Sequence, residues 1–261
     1  MTARTLTCLV DEVENLTPDV FRVSLAGRAE AVAHAPGQYL ELQLDDDTWV
    51  PFSIANAHRG DGLIELHIQH WPERENSARL RELMQEARRL TLRLPGGDCV
   101  LDPESRRPLL LVAAGTGFAQ MKAIVEAALV ADPNREIDLW WAARERRDLY
   151  LERLPREWAA QYPGVRFHAI SEIPPEEPFD GDGVSGHLGR VDAVLGSTLR
   201  NVAGHDVYLS GSPGMVYACI DVLASLGLDA SRVFSDVFAY APRDPLVPTV
   251  GSLVKQREAS S

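Results

Sequence analysis

The feature that most constrains this chain is a change of hydrophobic period near residue 105. Up to about residue 100 the apolar residues alternate, as in "TLTCLVDEV", "VFRVSLAG", "QYLELQL" and "LIELHIQH", with "TPD", "DDD" and "RGDG" supplying turns. Alternation buries one face of a strand, and six or so such strands predict a small antiparallel barrel. One helix interrupts them: in "SARLRELMQEARRL" Leu80, Leu83, Met84 and Ala87 recur at helical spacing, with Ser77 as its cap. After "LDPESRRP", residues 101–108, strands alternate with helices. Leu109–Ala113, Ile137–Ala142, Val165–Ile170 and Asp206–Ser210 read as strands, and "RVFSDVFAY" as a fifth. Met121, Ile124, Val125, Ala128 and Leu129 mark one helix face; Val216, Cys219, Ile220 and Leu223 mark another, stopped by Gly227. This order predicts a doubly wound parallel sheet. The expected organisation is a β-barrel domain over 1–103, an α/β domain over 104–241 and a C-terminal tail over 242–261.

Charge and cysteine usage narrow the partners. The 261 residues carry a formal net charge of −12, which opposes binding to nucleic acid or an anionic membrane. No apolar run reaches the roughly eighteen residues of a membrane-spanning helix, and "MTARTLTCLVDEVENL" meets acid before any secretory-type apolar stretch. Cys8, Cys99 and Cys219 are too few and too far apart for a disulfide framework, a Cys-only metal site or a ferredoxin-type cluster. They read as reduced thiols of a cytoplasmic protein. His67 and His70 lie three apart in an alternating run and so face opposite sides of a strand, which argues against a metal pair. No metal site is expected.

Two glycine turns carry the chemistry. Gly115-Thr116-Gly117 stands at the carboxyl end of the first parallel strand, where open sheets bind ligands. Glycine lets backbone approach a pyrophosphate, and the helix that follows offers unpaired N–H groups. The third glycine of the dinucleotide fingerprint is replaced by Gln120, so this turn alone is equally a bare strand-to-helix connection. A second turn, "YLSGSPGM", holds Ser210, Gly211, Pro213 and Met215, with Pro213 in the first helical turn. Two such turns on one sheet edge form a cleft that grips a dinucleotide. "ARERRDLY" places Arg144, Arg146 and Arg147 after the second strand, to meet an adenosine ribose or 2′-phosphate, or simply as a solvated basic turn. NADH and NADPH both stay open. Trp140 and Trp141 read as core.

Five motifs occur in the order found in the ferredoxin–NADP reductase superfamily: "PGQY" (Pro36–Tyr39), "PFSIAN" (Pro51–Asn56), "AAGTGF" (Ala113–Phe118), "SGSPGMV" (Ser210–Val216) and "FSDVFAY" (Phe234–Tyr240). Over roughly residues 5–240 the chain most resembles bacterial NAD(P)H:flavin oxidoreductases. The resemblance implies a six-stranded flavin-binding barrel, a nicotinamide-binding α/β domain and an active site between them. It implies that Phe52 and Ser53 lie against the isoalloxazine, with Ser53 near flavin N5 and Pro51 and Ile54 framing the ring. It gives Thr116, with Gly115 and Gly117, to the nicotinamide and pyrophosphate, and Ser210 to a place often held by cysteine. Phe238 and Tyr240 resemble the terminal aromatic region that covers the flavin.

Two departures decide between readings. Firm flavin binders of the superfamily carry Arg-x-Tyr-Ser, whose arginine pairs with a flavin phosphate; here that place is Val50. Their second phosphate motif, Gly-x-x-Ser-x-x-Leu, finds Ser77 and Leu80 but Arg74 at the glycine place, and Arg74 or Arg79 could compensate. The expected function is hydride transfer from NADH or NADPH to FAD, FMN or riboflavin bound as a substrate or loosely. The reduced flavin would then serve a flavin-dependent monooxygenase or ferric iron. The alternatives are an FAD-containing reductase component passing electrons to a protein such as a ferredoxin, and a non-catalytic nucleotide-binding subunit.

Overall fold

The structure, a computed structural model, describes residues 2–70, 75–176, 179 and 184–243. The first half contains strands β1 (Arg4–Asn15), β2 (Val20–Ala26), β3 (Tyr39–Gln43), β4 (Trp49–Ser53) and β5 (Leu63–Gln69), helix α1 (Glu75–Glu86) and strand β6 (Arg89–Gly96). All neighbouring pairs run antiparallel, in the order β4-β3-β6-β1-β2-β5. Alternate residues fill the interior: Val23 and Leu25 of β2, Leu40 and Leu42 of β3, Ile64 and Leu66 of β5, and Leu90, Leu92 and Leu94 of β6. The two end strands meet through one Ile54–Leu66 bridge and an Ala55 N–H to Glu65 O bond of 2.8 Å, which closes the barrel. Pro51, which has no N–H to give a ladder, sits in an end strand as expected. Ser77 falls inside α1, two residues past its start, rather than capping it. The "RRL" that ends the helical-looking stretch leads into β6.

The second half contains β7 (Leu109–Ala114), α2 (Phe118–Ala131), β8 (Ile137–Ala143), α3 (Arg153–Gln161), β9 (Val165–Ser171), β10 (Val184–Leu188), α4 (Val191–Thr198), β11 (Asp206–Ser210), α5 (Pro213–Ala224), β12 (Val233–Phe234) and α6 (Val237–Tyr240). The sheet is parallel, in the order β10-β9-β8-β7-β11-β12. Its strands are apolar on both faces because both are covered. Leu109, Leu111, Leu139, Trp141 and Phe167 pack on the α2–α3 side, and Leu110, Val112, Trp140, Ile170 and Leu209 on the α4–α5 side. Chain order reverses between β7 and β11, the switch point of the sheet. Gly227, at φ +87°, follows α5.

One expectation fails at the C-terminal end. "RVFSDVFAY" is a strand only at Val233–Phe234, where it pairs with Val207 and Tyr208, and then turns into α6. The cause is the polar pair that follows: Ser235 is buried, and its hydroxyl accepts the Val237 N–H at 3.4 Å. Of the expected tail, Arg243 pairs with Asp221 at 2.7 Å, and residues 244–261 lie outside the described residues.

Charged and polar groups also cross between the halves. Glu65 of β5 accepts from His67 at 2.7 Å and from Lys122 of α2 at 3.1 Å, while the His67 Nδ1 lies 3.0 Å from the Tyr150 hydroxyl. Burial pushes the Glu65 carboxyl up, but the His67 hydrogen bond and the Lys122 ammonium outweigh it and hold it at about 2, against an ordinary 4.5. Burial lowers the His67 imidazole below its ordinary 6.5. Its Nε2–H therefore donates to Glu65, and Nδ1 accepts from Tyr150. Both shifts make the unfolded chain bind more protons than the folded one in acid. Stability is expected to begin falling below pH 6.5 as unfolded His67 charges, and to fall further from pH 4.5 towards 2 as Glu65 is protonated. Glu65 alone accounts for about 3 kcal/mol of this loss. Urea titrations across this range test it: Glu65→Gln should flatten the lower leg relative to the parent.

Candidate active site

The Gly-Thr-Gly turn is a single 3₁₀ turn between β7 and α2. Gly115 adopts φ +54°, and a Cβ built there would meet nothing within 4 Å. Its carbonyl accepts the Trp141 Nε1–H at 3.0 Å, and the Trp141 ring stacks on Phe118 at 3.8 Å. Buried Trp141 is therefore core, as expected, and also braces the turn. Gly117 has the opposite surroundings: a Cβ there would lie 2.2 Å from the Ser210 carbonyl oxygen. Backbone contact between the two glycine turns is possible only because residue 117 has no side chain. On the second turn Ser212 caps α5 by accepting the Met215 N–H at 3.3 Å, and Pro213 occupies the first turn. Met215 folds over Gly211.

Between these turns and the barrel lies an open cleft of about 530 Å³. Gly115, Thr116, Arg144 and Met215 line it, together with Ser212. Gly117 and Ser210 lie packed against each other instead of in the lining, and Gly211 lies beneath Met215. The barrel adds Thr17, Asp19 and Gln69, and β8 leads to Tyr150; nothing in their local sequence marks them, because they reach the cleft only through domain packing. Of the basic run, Arg147 pairs with Glu145 at 2.8 Å, and Arg146 with Glu152 at 3.1 Å while lying over Phe179. Arg144 is exposed and has no carboxylate partner among the described residues, so it is the cation available to an anionic ligand.

On the barrel side, Phe52 and Ser53 are half-buried at the end of β4, and Pro51 is exposed. Ile54 has no exposed surface and belongs to the barrel core. It therefore supports Ser53 from beneath instead of framing a ring, a correction to the expected flavin-contacting set. β5 lies against the Gly-Thr-Gly turn and brings Gln69 to the same cleft. Phe238 and Tyr240 are exposed on α6, with Phe238 6.2 Å from the ring of Tyr217. No group of three or more potential ligands among the described residues is placed to hold a metal ion, and His67 spends both nitrogens on protein partners. No helix among them is long and apolar enough to cross a membrane.

Residues 111–221 match the oxidoreductase NAD-binding domain family. The chain is 35% identical over 230 residues to a terephthalate 1,2-dioxygenase reductase component of Comamonas, covering 86% of this chain and 66% of that protein. It is 28% identical over 242 residues to the NAD(P)H-flavin reductase of Vibrio harveyi, covering 90% and 99% respectively. Among solved structures, the ferredoxin reductase of a carbazole 1,9a-dioxygenase superposes with a TM-score of 0.76 at 22% identity, over 90% of this chain and 70% of that one.

The two glycines of the turn give a contrast. Gly115→Ala should cost about 1–2 kcal/mol, the strain of a side chain in left-handed backbone. Gly117→Ala should cost more and weaken nicotinamide binding, because the Ser210 backbone must retreat. Thermal denaturation with NAD(P)H titration distinguishes them.

Proposed function

The chain belongs to the ferredoxin–NADP reductase superfamily, and from that premise we propose that it is an NAD(P)H-dependent flavin reductase whose flavin binds, is reduced and leaves. It is an oxidoreductase that uses NAD(P)H and flavin. The bound nicotinamide supplies a hydride and the flavin accepts it at N5, so the protein needs no nucleophile or metal of its own.

The donor set suits an anionic dinucleotide. At the start of α5 Pro213 has no N–H and Ser212 takes that of Met215, which leaves the Gly214 N–H; Gly115 leaves open room beside its backbone, and Arg144 offers a guanidinium with no carboxylate partner among the described residues. Thr116 holds the nicotinamide end of the ligand. Phe52 and Ser53, half-buried at the end of β4 and not among the residues that line the cleft, would support the isoalloxazine and orient it through a hydroxyl hydrogen bond at N5. The exposed rings of Phe238 and Tyr240 are free to cover its outer face.

Val50 carries the choice of an exchanging flavin. It is half-buried against the barrel core and offers no charge where firm binders carry arginine. The neighbouring cations Arg79 and Arg93 already have protein partners, Asp45 at 2.8 Å for the first and Glu41 at 2.6 Å with the Trp49 ring for the second, which supports this reading. Arg74 lies outside the described residues. A missing hydrogen bond to a charged phosphate is worth roughly 1.5–3 kcal/mol, about tenfold or more in affinity. The acceptor of the reduced flavin would be a flavin-dependent monooxygenase or ferric iron. A second reading, a reductase component with firmly held FAD serving a protein partner such as a ferredoxin, is favoured by the 35% identity to the terephthalate dioxygenase component.

Absorbance of desalted protein, followed by NAD(P)H oxidation with and without added FMN, FAD and riboflavin, separates the two. Colourless protein that is active only with added flavin is the expected result; about one FAD retained per chain would favour the second reading. Ser53→Ala should lower turnover at least about tenfold through lost alignment, with the fold intact by circular dichroism.

A further inference from the structure

We infer that Lys122 and Gln120, two buried polar side chains near the start of α2, are positioning residues that set how the nicotinamide turn meets the flavin strand. The inference rests on the proposed hydride transfer across the two domains. Lys122 is 6% exposed and Gln120 1%, on a helix otherwise buried through apolar residues. An apolar side chain in either place would avoid burying polar atoms, so packing alone does not account for them.

Their partners lie around Ser53. The Lys122 Nζ donates to the Ala55 carbonyl at 3.1 Å and to Glu65 at 3.1 Å, and pairs with the Glu126 carboxylate at 2.9 Å, so its charge is both hydrogen-bonded and paired. Ala55 lies two residues past Ser53, at the seam where the barrel closes through Ile54–Leu66. The Gln120 Nε2 donates to the Gly37 carbonyl at 2.6 Å and to Asp236 at 2.7 Å. The next residue, Gln38, accepts the Ile54 N–H at 3.0 Å, so this contact also braces the seam. At the other end of the same rigid segment, four and six residues earlier, stands Thr116. The helix that begins at the nicotinamide turn is thus fastened on both sides of the strand that presents Ser53.

The test combines hydrogen exchange with single-turnover kinetics. Lys122→Met and Gln120→Met remove the donors at similar volume, and Lys122→Arg keeps Glu65 and Glu126 paired so that the fold is protected. In the protein without added cofactors, exchange of the Ile54 and Ala55 amides should quicken in all three. With NAD(P)H and flavin, the hydride step should slow on the order of tenfold to a hundredfold in the Met variants and less in Lys122→Arg, with the KM for NAD(P)H held within about twofold. Deuterium at nicotinamide C4 should then slow turnover more than in the parent. If Lys122→Met fails to fold, Lys122→Arg and Gln120→Met decide. Folded variants with parental exchange and a parental hydride step overturn the inference. A parent protein that reduces no flavin overturns the proposed function instead, and amide exchange still decides whether these side chains fix the seam.

Discussion

Burying a lysine costs several kcal/mol unless its charge is paired and hydrogen-bonded, and Lys122 is both: it donates to a backbone carbonyl of the barrel and to Glu65, and it pairs with the carboxylate of Glu126. Around this ammonium the two halves exchange further polar contacts. Glu65 takes its second bond from His67, His67 accepts from Tyr150, and Glu126 is paired on its far side with Arg59. Opposite charges alternate through the network. Tyr150 in turn stands edge-on to Trp141, the ring that braces the Gly-Thr-Gly turn. A continuous set of contacts therefore runs from the barrel seam to the lining of the cleft.

Much of the fold is legible in the letters because two periods dominate it. The parallel strands β7, β8, β9 and β11 and the helices after the two glycine turns follow from continuous apolar runs and helical spacing. What escaped the sequence lacks those signals. β10, "VSGHL", is mostly exposed, and its Gly186 leaves room for the Phe179 ring. α3 carries Pro155 near its start and buries only that residue and Trp158, which hides it among charged neighbours. The last strand ends early because Ser235 turns the chain, a local bond that apolar counting misses.

The site divides in the same way. Its glycines, Thr116 and Arg144 announce themselves by motif and by position after a strand. Gln120 reads in sequence as a missing third glycine, and its partners lie 83 and 116 residues away. Ile54 sits within a recognisable motif, yet its burial shows only once the barrel is closed. Motif spacing identifies backbone that must come close to a ligand; it carries little information about side chains that work across an interface.

The barrel closes through one bridge, one backbone hydrogen bond and two bonds of the Asn56 side chain, to the Glu65 N–H and the Leu63 carbonyl, a shorter seam than the ladders that join its other neighbours. Its last gap is therefore the part least able to hold itself shut, and Lys122, 67 residues along the chain from Ala55, fastens it. Contacts of such separation carry a loop-closure entropy cost, so they form late as a chain folds. In folding terms the first domain is finished by the second: β4 and β5 gain their full restraint only after α2 has formed and docked. A chain emerging from the ribosome would carry an unlatched barrel until the α/β half followed it.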